Sequence, residues 1–378
     1  MRSSHSNEFP LSWPPLRLFS YHHVSSMRTR RKQLWVVFAV VLFIAGGIVT
    51  AILLRMRVAP DVARLLPDSD AVFFINLEPI RILTDVGKKP PKDRDPQFDN
   101  FVRETGFDFE RDLDKAAFAI HYGANIKGEP EETRYSEIFQ GRFDSARVGA
   151  YLGKSASSVE RYRDLDIYII PLEGRTVRVV LLGIDIAAAS NMADPAVIHG
   201  MIDRYKQAAL PFAGPPLVSE YYRRVPLGSV IWTIARPPAV SGGQERGELL
   251  LPGAWSGLLP PNSVVIASAR PLNDIHLRAQ VFMSGEAEAR TFTERVNTYL
   301  AIFKSLDISM DAGGPDPDVK AAFESLEIHQ DKNEAVLTAK VPYAFFKKVL
   351  SEPAVELGPE TQKPQQQKAP AAKAKSRK

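Results

Sequence analysis

Apolar and polar positions alternate along most of this chain, and one stretch does not alternate at all. From Leu34 to Leu54, 21 residues run without a charge, between Arg31-Lys32 on one side and Arg55 and Arg57 on the other. At 1.5 Å per helical residue such a run reaches about 32 Å, close to the hydrocarbon thickness of a bilayer, so it predicts a transmembrane helix. A buried core helix would show one polar face. A secretory signal has a shorter apolar region ending at a small-residue cleavage site, whereas this run continues through Ile52-Leu53-Leu54 into Arg55-Met56-Arg57. The segment therefore reads as an uncleaved anchor, with the bilayer as its partner.

Beyond it the pattern is mixed. Ala71 to Leu77 (AVFFINL) predicts a buried strand. Pro96 to Thr105 and Glu110 to Lys115 predict helices, and Ala116 to Tyr122 and Tyr135 to Phe143 strands. A helix from Asp144 to Leu152 starts with Asp144 as its N-cap. Asp166 to Ile170 and Thr176 to Ile184 predict a hairpin across Glu173-Gly174. Asp194 then caps a helix to Ala208, with Pro195 at its first position.

In the second half Ser229 to Ala235, Ser263 to Ala269 and Ile275 to Met283 read as strands. The helix from Glu286 to about Ser305 places Phe292, Val296, Tyr299, Leu300 and Phe303 on one face. A helix from Asp316 to Leu326 follows. Glu327 to Gln330 and Glu334 to Val341 form a hairpin over Asp331-Lys332-Asn333, and Pro342 opens a last helix through Leu350.

Both halves thus read strand, strand, helix, strand, strand, helix, which suggests a duplicated unit. Leu65-Leu66-Pro67 and Leu258-Leu259-Pro260 each lead into an apolar strand, although the two signals do not fall in one register. Hairpin-length connections predict an α+β fold: an N-terminal transmembrane helix, then mainly antiparallel sheets with packed helices. The expected organisation is a cytoplasmic N-terminus (1–33), the span (34–54), two exported halves (55–225 and 226–356) and a disordered basic tail (357–378). Residues 1–26 hold three of the seven histidines and no periodic pattern. Met27-Arg28-Thr29-Arg30-Arg31-Lys32 reads as the start of a signal anchor, so translation is expected to begin at Met27.

Charge sharpens this layout. Residues 1–57 carry eight Lys or Arg against one Glu and residues 357–378 six against one, so the overall +4 leaves −8 on the body between them. A basic stripe for nucleic acid is thereby removed from the expected partners. Arg28, Arg30, Arg31 and Lys32 crowd the near side of the span, while Arg55, Arg57 and Arg64 are more spread. The positive-inside rule then puts the N-terminus in the cytoplasm and the body outside the inner membrane. The absence of cysteine fits an exported body that never relied on disulfides. The Pro, Gln, Ala and Lys of the tail cannot bury enough surface to fold. Gly47 and Ala51 form a small-xxx-small pair of the kind that lets anchors pack.

Candidate chemistry is sparse. Gly149-Ala150-Tyr151-Leu152-Gly153-Lys154-Ser155 has three residues between its glycines where a phosphate loop needs four, and it follows a helix instead of a strand. No nucleophile elbow, HExxH pair or dinucleotide fingerprint occurs. His121, His199, His276 and His329 are scattered, and a metal site would need three of them to converge. Asp311, Asp316 and Asp318 lack calcium-loop spacing. No catalytic, cofactor or metal residue is assigned.

The Leu65-to-Phe74 opening (LLPDSDAVFF) and the Gly141-Arg142-Phe143-Asp144 junction give the chain its resemblance to bacterial single-pass membrane-anchored proteins of unknown function. That resemblance implies no activity. Two classes stay open: a non-catalytic envelope protein binding a protein or polymer, and an anchored hydrolase with a site assembled from dispersed carboxylates and histidines. A polar pocket with convergent His, Asp or Glu would favour the second; an apolar groove or shallow sheet face would favour the first.

Overall fold

In the computed structural model the described residues are 58–84, 96–122, 134–172, 174–207, 214–237, 259–307 and 317–345, together with Phe43. The chain divides into Met1–Met56 and Arg57–Lys378, and all that follows concerns the second unit. The predicted span apart from Phe43, the first 26 residues, the Gly47/Ala51 pair, Asp311 and Asp316, and the tail from 357 lie outside the described residues. Among those residues no helix is long and apolar enough to cross a membrane.

Twelve strands form one sheet in the order β11-β12-β10-β9-β8-β1-β2-β3-β7-β6-β5-β4, and every neighbouring pair is antiparallel. The strands are β1 Ala71–Asn76, β2 Leu113–His121, β3 Arg134–Gly141, β4 Ser158–Tyr162, β5 Leu165–Leu172, β6 Arg175–Leu181, β7 Ile186–Ser190, β8 Ile231–Ala235, β9 Val264–Pro271, β10 Ile275–Phe282, β11 Glu327–Asp331 and β12 Glu334–Val341. The helices are α1 Asp61–Arg64, α2 Leu77–Leu83, α3 Pro96–Thr105, α4 Phe109–Asp112, α5 Ser145–Ser155, α6 Ala196–Lys206, α7 Pro216–Tyr221, α8 Glu286–Asp307 and α9 Pro317–Glu324. The α+β class with antiparallel pairing is therefore present.

One connectivity occurs twice. β1-β2-β3 is followed by α5 and a meander whose last strand, β7, returns beside β3; β8-β9-β10 is followed by α8 and α9 and a hairpin whose last strand, β12, returns beside β10. The two copies meet where β1 pairs antiparallel with β8. The first meander has four strands where the sequence pattern predicts two, because β4 (SVERY) is too polar and β7 (IAAAS) too short to read as strands. The two Leu-Leu-Pro turns enter β1 and β9, which are not equivalent in this connectivity, so the shared spelling does not mark the repeat.

Several local expectations are corrected. The helix expected over Glu110–Lys115 stops at Asp112, and Leu113 to Lys115 already belong to β2; Asp108 caps the short turn by accepting from the Glu110 N–H. On α8 the buried stripe is Ala289, Phe292 and Val296, with Leu300 beside it, while Tyr299 is exposed, one step round the helix. Asp144 caps α5 as expected, accepting from the Ala146 and Arg147 N–H groups. Asp194 accepts from the Ala196 N–H, the bond expected of a cap ahead of Pro195. The last helix is described only from Tyr343 to Phe345.

Helices cover both faces of the sheet. On one face α1, α6 and α7 pack over Val72, Phe74, Trp232, Ile234 and Ile266, and Phe74 stacks on Trp232 with ring centroids 5.3 Å apart. On the other, α3 and α4 close an aromatic cluster of Phe101, Phe107, Phe109, Phe118 and Phe139 at one end. The long α8 covers Val265, Val281 and Ala335 at the other end.

Candidate functional site

Between those two helical covers the second face of the sheet holds a trough of about 630 Å³. Its floor follows from register. Thr233, Ala267, Ala279 and Leu337 stand in one cross-strand row, and Ile231, Ala269, Leu277 and Ala339 in the next. Residues two apart on a strand share a face. Four of these eight side chains are single methyl groups, so the floor is lower here than under α8 or the phenylalanine cluster.

The walls are held by specific contacts. α2 follows β1 without a loop, because the Asn76 side chain accepts from the Glu78 N–H and starts the helix. Arg81 then pairs with Asp114 and donates to the Leu113 carbonyl of β2. That tether holds Ile80 and Leu83 over the trough beside Phe73. On the opposite side stand Leu326, Tyr343 and Phe345, and the Tyr343 hydroxyl donates to the Leu272 carbonyl at 2.9 Å.

Among the described residues no Asp, Glu or His lines this trough. The charged neighbour, Arg278, lies between Leu277 and Ala279 on β10, and strand alternation directs it to the other face. Chemically the site offers apolar contact and a few hydroxyls (Thr233, Tyr343). Its volume falls within the range of small-molecule pockets, which are mostly apolar with few polar groups.

No family model and no curated protein matches the chain. Solved structures of TP0453 are similar to it. Crystal form III aligns with a TM-score of 0.41 at 9% identity, covering 77% of this chain and 98% of that one. Crystal form IV gives 0.38 at 10%, over 78% and 98% respectively.

The four histidines weighed as ligands are not brought together. His121 ends β2, its Nε2 buried without a partner among the described residues, and burial lowers its pKa against the opposing pull of Asp70 and Asp68. His199 on α6 stacks on Tyr162 at 4.0 Å and has its Nε2 2.8 Å from Glu160. The Tyr162 hydroxyl donates to Asp203, which also pairs with Arg163 at 2.6 Å. These bonds clamp α6 onto the β4–β5 hairpin. His276 and His329 lie on β10 and β11, with β12 between them. Among the described residues no group of three His, Cys, Asp or Glu could hold a metal.

The glycine-rich stretch Gly149–Ser155 is the body of α5. A Cβ on Gly149 would come 3.2 Å from the Tyr168 hydroxyl, so this glycine serves helix-to-sheet approach. The trough itself escaped the sequence reading. Its signal was the alternation of alanine with larger residues in VVIASARP and in Ala279 and Ala339, which resembles any ordinary strand until the register is known.

Proposed function

We propose that this protein is a membrane-anchored binding protein that takes up an apolar chain, with a lipid acyl chain as the ligand, in the alanine-floored trough. The supporting observation is a concave site of ligand size whose lining, among the described residues, is apolar with a few hydroxyls. Of the two classes left open by the sequence, the hydrolase needs a general acid or base within reach of bound substrate, and none stands among the described residues that line the trough. A protein or polymer in the cell envelope is the other partner class considered. The acyl chain is favoured because the trough is walled on two sides, by α2 and by Leu326, Tyr343 and Phe345, instead of being a flat face.

The anchor belongs to the same proposal. A helix from Leu34 to Leu54, with the N-terminus in the cytoplasm and the body outside the inner membrane, would keep the trough in a compartment where acyl chains are abundant. Reconstituted full-length protein held in amphipol should quench or enhance a fluorescently labelled fatty acid saturably. Ala279→Phe, which fills the floor, should weaken that binding at least tenfold, equivalent to about 1.4 kcal/mol. Non-saturable partition, equal in the variant, would refute the proposal.

A further inference from the structure

We propose that the opposite face of the same strands carries a second site, for a phosphate group, built from Arg270, Arg278 and Lys340 with His276. The register lines up three of these residues. His276 on β10 stands directly between Arg270 on β9 and Lys340 on β12, and Arg278 follows two residues along β10 on the same face. Together they border a cavity of about 290 Å³, near the lower end of ligand pockets.

Cross-strand neighbours carry Cβ atoms roughly 5 Å apart, and like charges so placed repel. Sheets relieve such repulsion with interleaved carboxylates, yet among the described residues none of the four makes an ion pair. Glu327 on β11 is at the rim, opposite Thr338, and is a single carboxylate against three fixed cations. This concentration of positive charge also runs against the −8 of the surrounding body.

The Arg270 side chain and the Lys340 backbone are held in place. Gly228, at φ +81°, occupies the third position of a turn closed by the Ser229 N–H to the Pro226 carbonyl, and the Arg270 side chain passes just above it. Arg270 Nε is sealed from water with no acceptor among the described residues. Ser325 fixes the Lys340 backbone, its Oγ accepting from the Lys340 N–H at 2.8 Å. Ser268 and Thr338 add hydroxyls to the lining. Two guanidiniums, an ammonium and hydroxyls match a multiply charged tetrahedral oxyanion better than a single carboxylate, because three positive charges and their many donors exceed what one carboxylate with one charge and two oxygens can satisfy.

A soluble phosphate and a lipid headgroup present the same chemistry, so the test has two arms. Full-length protein in phosphatidylcholine nanodiscs is melted with added inorganic phosphate at matched ionic strength, and separately with part of the lipid replaced by phosphatidic acid. The melting temperature is expected to rise by several degrees in one arm or both, as ligand binding to the folded state requires. A rise with inorganic phosphate assigns a soluble ligand, and a rise confined to phosphatidic acid assigns a headgroup. The shift should vanish in the double variant Arg270→Gln with Arg278→Gln. Lys340→Gln, at an exposed position, guards against misfolding of that variant: it should raise the anion-free melting temperature by relieving repulsion while shrinking the phosphate shift. No stabilisation of the wild type in either arm, or a shift undiminished in Lys340→Gln, would overturn the proposal.

Discussion

Glu137 shows how one residue can be read from burial alone. It sits in β3 opposite Phe118, mostly buried, and desolvation raises its pKa above the ordinary value of 4.5. The folded chain thus holds this proton more tightly than the unfolded chain. Stability contributed by the neutral acid is present below about pH 4.5 and is lost as pH rises through the folded-state pKa. Glu137→Gln removes that loss. Its melting temperature should exceed the wild type's at pH 7, and the difference should close on acidification toward pH 4. A difference that widens in acid would show that Glu137 has a compensating partner. His121, also shifted by burial, titrates in both proteins and cancels from the comparison. The Tyr343→Phe change belongs to the same scale: losing the bond to the Leu272 carbonyl should cost about 1 kcal/mol, read from denaturant midpoints.

At the scale of elements, turn and cap chemistry decided where the sequence was legible. Asp144 and Gly174 mark their boundaries by residue type, and the structure places a cap at the one and a positive φ at the other. Gly141 makes a sharper case, since an added Cβ would lie 2.5 Å from the Asp112 carbonyl oxygen. Gly141→Ala must push β3 away from the α4–β2 junction and should cost about 1–3 kcal/mol as overpacking does; an unchanged unfolding midpoint would contradict that packing. Elements whose stability comes from tertiary contact were not legible. β4 (SVERY) has five residues and no regular apolar alternation, α2 and α7 are under three turns long, and α4 is a single turn, so none has enough periodic positions to register. Tyr299 was misplaced for a related reason: a stripe five residues wide fits the helical period, but the sheet beneath α8 accepts only a narrower one.

For the whole molecule, the sequence carried the α+β class and antiparallel pairing, because hairpin-length connections leave few alternatives. It did not carry the union of both halves into one sheet. That depends on β1 meeting β8, a pairing of strands about 160 residues apart with no local signal. Both proposed sites arise from the same long-range register. Alanines on one face of β9, β10 and β12 make the trough, and basic residues at the intervening positions make the phosphate site. A strand pattern that alternates Ala with Arg or Ser says only that two faces differ; the sheet decides that each face has a purpose.

The central claim, that the trough receives an acyl chain, is tested most directly by photolabelling. Full-length protein reconstituted in nanodiscs is irradiated with a diazirine-bearing fatty acid, digested and mapped by mass spectrometry. The account predicts adducts on peptides containing Leu277, Ala279 and Leu337, abolished by Ala279→Phe and competed by unlabelled fatty acid. Adducts absent from these peptides, or equally strong on them in Ala279→Phe, would contradict it.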